Sequence, residues 1–153
     1  MHGIKHVNTH AQGQGPSKSE ARIVLIDDCP HFCRIMEAAA KRQGLYLKAY
    51  SSLADMYTIA NLKNFDLALI DYHLDSFCGL EIAEYVDIFF QDLPVVIVSG
   101  DDVPRKKPWP ESVKGFLTKS LGAQEILQRA LAIGEKCRLY QMLERGTIAG
   151  NAI

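Results

Sequence analysis

Four short apolar runs, each ending on or beside a polar residue, set the terms on which this chain can fold. Arg22-Ile23-Val24-Leu25-Ile26 leads into Asp27-Asp28, and Leu67-Ala68-Leu69-Ile70 leads into Asp71. Val95-Val96-Ile97-Val98 leads into Ser99, and Gly115-Phe116-Leu117-Thr118 leads into Lys119. Short runs rich in Val, Ile and Leu and bounded by turn signals are strands buried on both faces. In an open parallel sheet, ligands bind beyond the carboxyl ends of the strands. Three carboxylates, a hydroxyl and an ammonium are therefore expected around one crevice, although they lie far apart in sequence.

The segments between the runs supply the crossovers. Pro30 suits the first turn of a helix that continues through Arg34-Ile35-Met36-Glu37 and stops at Gly44. Leu45-Tyr46-Leu47-Lys48-Ala49-Tyr50 reads as a second strand, whose weaker alternation suits a sheet edge. Ser51-Ser52 is placed to cap a helix over residues 53–62. A loop then runs from Asp71 to Gly79, a helix occupies residues 80–90, and a last helix runs from about Ala123 toward Arg145. Strands alternating with helices give an α/β fold with right-handed crossovers: a flavodoxin-like sheet of five parallel strands, order 2-1-3-4-5, with helices on both faces.

At 153 residues the chain is expected to form one domain over residues 21–136. A polar, Gly-containing tail over 1–20 precedes it, and a helical extension over 137–153 follows. The tail has no apolar segment, so it is neither a signal peptide nor a span. His2, His6 and His10 recur every four residues, open to reading as one face of a metal site, but the nearby glycines and the missing fourth ligand favour a disordered tail. The net charge of -1 gives no push toward nucleic acid or membrane. Cys29, Cys33, Cys78 and Cys137 fit no zinc spacing and are read as free, mostly buried thiols of a reducing cytoplasm.

Three neighbouring carboxylates repel one another, so at least one pKa should rise unless a cation sits among them. An all-oxygen donor set suits a hard divalent ion such as Mg²⁺. A carboxylate can also serve as a nucleophile and form an aspartyl-phosphate. Asp71 stands alone at the end of a central strand and is the expected nucleophile. Asp27 and Asp28 would hold the metal, and Lys119 and the Ser99 hydroxyl would contact phosphoryl oxygens. A strand-end aspartate nucleophile also occurs in phosphohydrolases of the haloacid dehalogenase type. They need a second aspartate two residues on, where this chain has His73.

With Asp27-Asp28, Asp71 followed by Gly79-Leu80-Glu81, Ser99, and Lys119 three positions after Phe116, residues 21 to about 136 resemble the receiver domain of bacterial two-component response regulators. The resemblance implies a signalling switch rather than an enzyme, with Asp71 taking phosphate from a histidine kinase or histidine phosphotransfer protein. It implies Mg²⁺ held by Asp28, Asp71 and the backbone carbonyl of His73, with Asp27 assisting. Ser99 and Phe116 would form the switch pair. His73 and Asp101 match positions that tune phosphate lifetime, although His73 reads equally well as an ordinary exposed loop residue. The output would be altered contact with a downstream protein. The alternative is a degenerate receiver, an interaction module that does not use its crevice.

Two departures stand out. The family usually places proline after the crevice lysine, and Ser120 stands there, which puts the placement of Lys119 in question. Asp75 likewise replaces a proline common four residues after the acceptor. The second departure is larger. The stretch that should hold the fourth helix carries Pro104, Pro108 and Pro110, each costing roughly 3 kcal/mol inside a helix, so that helix is expected to be absent or one turn long. Trp109, the single tryptophan, would then plug the uncovered sheet face or anchor a partner, and Arg105-Lys106-Lys107 reads as a solvated loop face. In the last helix, Ile126, Ala130, Ile133, Cys137 and Tyr140 form a stripe, with Leu127, Leu131 and Leu143 beside it. Its extension could mediate a homodimer or fold back on its own sheet.

Overall fold

The three central runs are apolar at almost every position because both faces of the sheet are covered. The computed structural model describes residues 20–100 and 108–150, excepting the side chains of 148–150. Its strands are β1 (Arg22–Ile26), β2 (Tyr46–Tyr50), β3 (Leu67–Asp71), β4 (Val95–Ser99) and β5 (Val113–Thr118), and its helices are α1 (Pro30–Arg42), α2 (Gly79–Phe89) and α3 (Ala123–Gly150). All strand pairs are parallel, in the order β2-β1-β3-β4-β5. Strands β3 and β4 are wholly buried, whereas β2 and β5 are half-exposed edges. At the amino end, Asp66 ties β1 to β3: its Oδ2 accepts the Arg22 N–H and its own N–H donates to Arg22 O, both at 2.8 Å.

Successive side chains leave a strand on opposite faces, so each run feeds two cores. Ile23, Leu25, Leu67, Leu69, Val96 and Val98 pack with Met36, Ala39 and Ala40 of α1 and with Ile126, Leu127 and Ala130 of α3. Val24, Ile26, Ala68, Ile70, Val95 and Ile97 pack with Ile82, Ala83 and Val86 of α2, together with Met56 and Leu62.

Residues 53–62 do not form the expected helix. Two 3₁₀ turns, Ala54–Met56 and Ile59–Asn64, take its place. Ser52 Oγ does accept the Asp55 N–H at 3.2 Å, so the expected start is used. The helix then stops because Tyr57 adopts φ 62° and Thr58 is extended, its Oγ1 accepting the Ala60 N–H that opens the second turn. Buried Met56 and Leu62 pin the segment to the sheet.

Between β4 and β5, residues 108–112 carry no helix. Asp101, Pro104 and Arg105-Lys106-Lys107 lie outside the described residues, as do the three tail histidines. Trp109 meets neither expectation fully: it is half-buried, and its Nε1 is enclosed without a hydrogen-bond partner among the described residues. Of the four free thiols only Cys33 is buried, and Cys29 is exposed, which corrects the expectation for the cysteines. Helix α3 follows its expected stripe through Ile126, Ala130 and Ile133 to half-buried Cys137. Its next inward position is Gln141, whose Nε2 donates to Asp92 O at 3.2 Å, and Arg145 pairs with the Asp92 carboxylate at 2.7 Å. Tyr140 and Leu143 are exposed instead.

Candidate functional site

The carboxyl ends of β1, β3 and β5 converge on one acidic crevice. Asp27 extends the β1 ladder by donating its N–H to Tyr50 O at 3.0 Å. Its side chain is fully buried, and Oδ1 accepts the Cys29 N–H at 2.8 Å, fixing the turn into α1. Half-buried Asp28 takes the Asp75 N–H on Oδ2 at 3.1 Å, which ties the β3–α2 loop to the crevice. Asp71 ends β3 opposite Val98 and is buried. The three aspartates each bring a carboxylate oxygen within 4.8 Å of the others.

Lys119 reaches this group despite Ser120. Its Nζ lies 2.6 Å from Asp27 Oδ2 and 3.5 Å from Asp71 Oδ1, and 4.5 Å from the centre of the Phe32 ring. The loop after it is a 3₁₀ turn, Lys119–Leu121, closed by the Gly122 N–H on Lys119 O at 3.1 Å with Gly122 at φ 81°. Ser120 itself is exposed, with its Oγ 2.8 Å from Thr118 Oγ1.

The charges do not balance. Like charges at about 4 Å repel by roughly 4 kcal/mol at the effective dielectric of a protein surface, and one ammonium cannot offset three carboxylates. Burial and then the neighbouring Asp27 push the Asp71 carboxyl up to about 6, with Lys119 partly opposing. Burial of Lys119 acts to lower its pKa, but the hydrogen bond and charge of Asp27, helped by Asp71, outweigh it and hold the ammonium above its usual range. The set has only oxygen donors, is shielded, and is short of positive charge. It therefore fits a hard divalent cation.

The remaining expected residues fall around this centre unevenly. Ser99 is buried at the end of β4, opposite Thr118 on β5. Phe116 pairs with Ile97 and packs, half-buried, against the core on the α2 side. His73 is exposed in the β3–α2 loop, its ring edge-on to Tyr72 at 4.7 Å. It faces Cys78 across an antiparallel bridge whose two hydrogen bonds, Leu74 N–H to Phe77 O and Gly79 N–H to Tyr72 O, leave the His73 carbonyl unused. Gly79 is required by proximity: a Cβ there would lie 2.3 Å from Asp71 O. Phe32, Asp75 and the Cys29 N–H were not foreseen as parts of the site.

Comparison with known proteins identifies the family and the fold. The family described as the response regulator receiver domain matches residues 23–131. The chain belongs to that family. A CheY-like receiver domain from Methanospirillum hungatei JF-1 superposes with a TM-score of 0.66 at 17% identity, covering 80% of this chain and 99% of its own. The response regulator TrrA from Thermotoga maritima, solved in complex with Mg²⁺–BeF, gives 0.65 at 17% identity over 74% of this chain and 98% of its own. The chemotaxis response regulator CheY4 of Vibrio cholerae gives 0.64 at 16% identity over 75% and 99%. No curated protein matches the chain. The receiver domain is a two-component signalling module, and no described helix is long and apolar enough to cross a membrane.

Proposed function

We propose that this receiver domain is a phosphoacceptor switch, phosphorylated on Asp71 with Mg²⁺, that acts by changing its contacts with other proteins. The supporting observation is the buried Asp71 carboxylate, gathered with Asp27 and Asp28 within 4.8 Å and facing Lys119 at 3.5 Å. In the transfer, a carboxylate oxygen of Asp71 forms the new P–O bond as the bond from phosphorus to the donor nitrogen breaks, the electron pair leaving on the donor's imidazole. The donor is a histidine kinase or histidine phosphotransfer protein. Asp28 and Asp71, the His73 carbonyl and, in support, Asp27 would hold the ion, which when bound supplies positive charge to the phosphoryl oxygens. Lys119 and the Ser99 hydroxyl stabilise the charge on those oxygens, and Phe116 follows Ser99 as the second member of the switch. The unit is taken as residues 21–136, in the cytoplasm, with 137–153 as an extension.

Phosphorylation itself provides the test. Acetyl phosphate or beryllofluoride with Mg²⁺ is expected to change Trp109 fluorescence and, for acetyl phosphate, to add one phosphoryl group by mass. Asp71→Asn is expected to abolish both. An unchanged signal with no added mass would move the chain to the degenerate, phosphorylation-independent reading. The exposed Leu139, Tyr140, Met142 and Leu143 on α3 favour self-association through the extension. Sizing by light scattering is expected to give a dimer that Leu139→Glu with Leu143→Glu reduces to a monomer.

A further inference from the structure

The residues just before β5 are fastened to the sheet and to α2 by a polar device. Asp87, on α2, accepts the Glu111 N–H through Oδ2 and the Ser112 N–H through Oδ1, both at 2.7 Å. The buried Ser112 hydroxyl donates to Ala83 O, one turn earlier on the same helix, at 3.1 Å. Ser112 O in turn accepts the Val95 N–H at 2.8 Å. The residues immediately before β5 are thus bound to α2 on one side and to the start of β4 on the other. Burial acts to raise the Asp87 pKa, but the bonds from Ser112 and Glu111 outweigh it and keep the carboxyl ionised below its usual range.

The other end of α2 is seated on the acceptor. Gly79, its first residue, lies so close to the Asp71 backbone that no side chain fits between them. Eight residues of helix, about 12 Å, separate this contact from Asp87. Trp109 lies two residues before Glu111, and Phe116 lies four after Ser112. Coupling between sites is carried by packed chains and rigid secondary elements that have two arrangements, and α2, fastened at both ends, is placed to be such an element.

We propose that Asp87 is the positioning residue through which α2 couples Asp71 to the connection before β5. The proposal rests on the phosphoacceptor reading above, and its test separates the two. The full chain is titrated with Mg²⁺ and then with beryllofluoride, as wild type and as Asp87→Asn, which keeps the size of the side chain but can accept only one of the two N–H groups. Expected for Asp87→Asn is an Mg²⁺ affinity within about twofold of wild type, with the beryllofluoride-induced Trp109 signal reduced at least about fivefold. Beryllofluoride is also expected to protect the amides of residues 111–116 from exchange in wild type and not in Asp87→Asn. A lowered Tm with the full beryllofluoride response would make Asp87 a structural staple only and overturn the proposal. Ser112→Ala, which removes only the bond to Ala83, should weaken the response in the same direction. If it responds as wild type while Asp87→Asn fails to fold, the proposal falls. If wild type itself does not respond, the phosphoacceptor reading fails first and takes this inference with it.

Discussion

The two faces of the sheet reach the same crevice by different means. On one, α1 and α3 lay long apolar stripes over Ile23, Leu25, Leu69 and Val98, and burial of side chains does nearly all the fastening. On the other, among the described residues, the cover consists of α2 as its only α-helix, two 3₁₀ turns and the residues before β5 that Asp87 holds. Here the buried core around Ile82, Ala83 and Val86 is supplemented by a few directed polar bonds and by close backbone approach. Burial is non-directional and tolerates sequence change, whereas a carboxylate bridging two N–H groups does not. The crevice survives this asymmetry because its charged groups ride on strand ends, which both faces support equally.

The strongest test of that contrast strikes the α2 side alone. Gly79→Ala places a Cβ where Asp71 O lies 2.3 Å away and Ile70 Cγ2 lies 3.2 Å away. Neither obstacle is a flexible chain end, because one is backbone and the other is packed in the core. Helix α2 must therefore shift, at a cost of about 2–3 kcal/mol in denaturant unfolding, and Mg²⁺ affinity should fall because the Asp71 carbonyl moves with it. A variant with wild-type stability would show that α2 is loosely seated and that the two faces are fastened alike.

The crevice, common to both faces, gives an intermediate effect with a definite pH dependence. The Asp71 carboxyl titrates near 6 in the folded protein, above its ordinary 3.8. A folded-state pKa above the unfolded one means that stability is full below about pH 4 and is lost as pH rises through 6. Asp71→Asn does not suffer that loss. It should be more stable than wild type by about 1–3 kcal/mol at neutral pH without metal, and the difference should vanish toward pH 4. Millimolar Mg²⁺ should narrow the gap by stabilising wild type. A gap independent of pH would mean that Asp71 carries no buried charge at neutral pH.

How much of this was legible in the sequence follows the same division. Asp27, Asp71, Ser99 and Lys119 could be found because each closes an apolar run, and an apolar run fixes both a strand and its end. The parallel α/β class followed from the alternation of strands and helices, and the sheet order from the flavodoxin-like arrangement assigned to it. Asp75 and Asp87 could not be found in this way. Each acts through a bond to partners 24 to 47 residues away, and an isolated aspartate in a loop or on a helix has no pattern that betrays such a bond. Phe32 reads as one more apolar residue of α1, and only the fold brings its ring to Lys119. Residues 53–62 misled because their local signals were overridden. Their composition suits a helix and Ser52 caps it, but the positive φ of Tyr57 is a tertiary outcome, imposed while Met56 and Leu62 are both turned inward.

That residue offers the smallest and most local probe of the α2 side. Tyr57 is 98% exposed, so its ring contributes little packing, yet its φ of 62° lies where side chains are disfavoured. Such a conformation costs roughly 1–3 kcal/mol for a residue with a Cβ. Glycine removes that strain and in exchange loses roughly 0.5–1 kcal/mol of backbone entropy on folding. Tyr57→Gly should therefore stabilise by around 1 kcal/mol, a rise of about 2–4 °C in Tm for a chain of this size. Mg²⁺ affinity should stay the same, because the hydrogen bonds of the turn go to its own neighbours, Ala54, Met56 and Thr58, and not to the crevice aspartates. A loss of stability instead would mean that the exposed ring has a partner in solution, and that the turn-built face is more fully covered than its bare Tyr57 suggests.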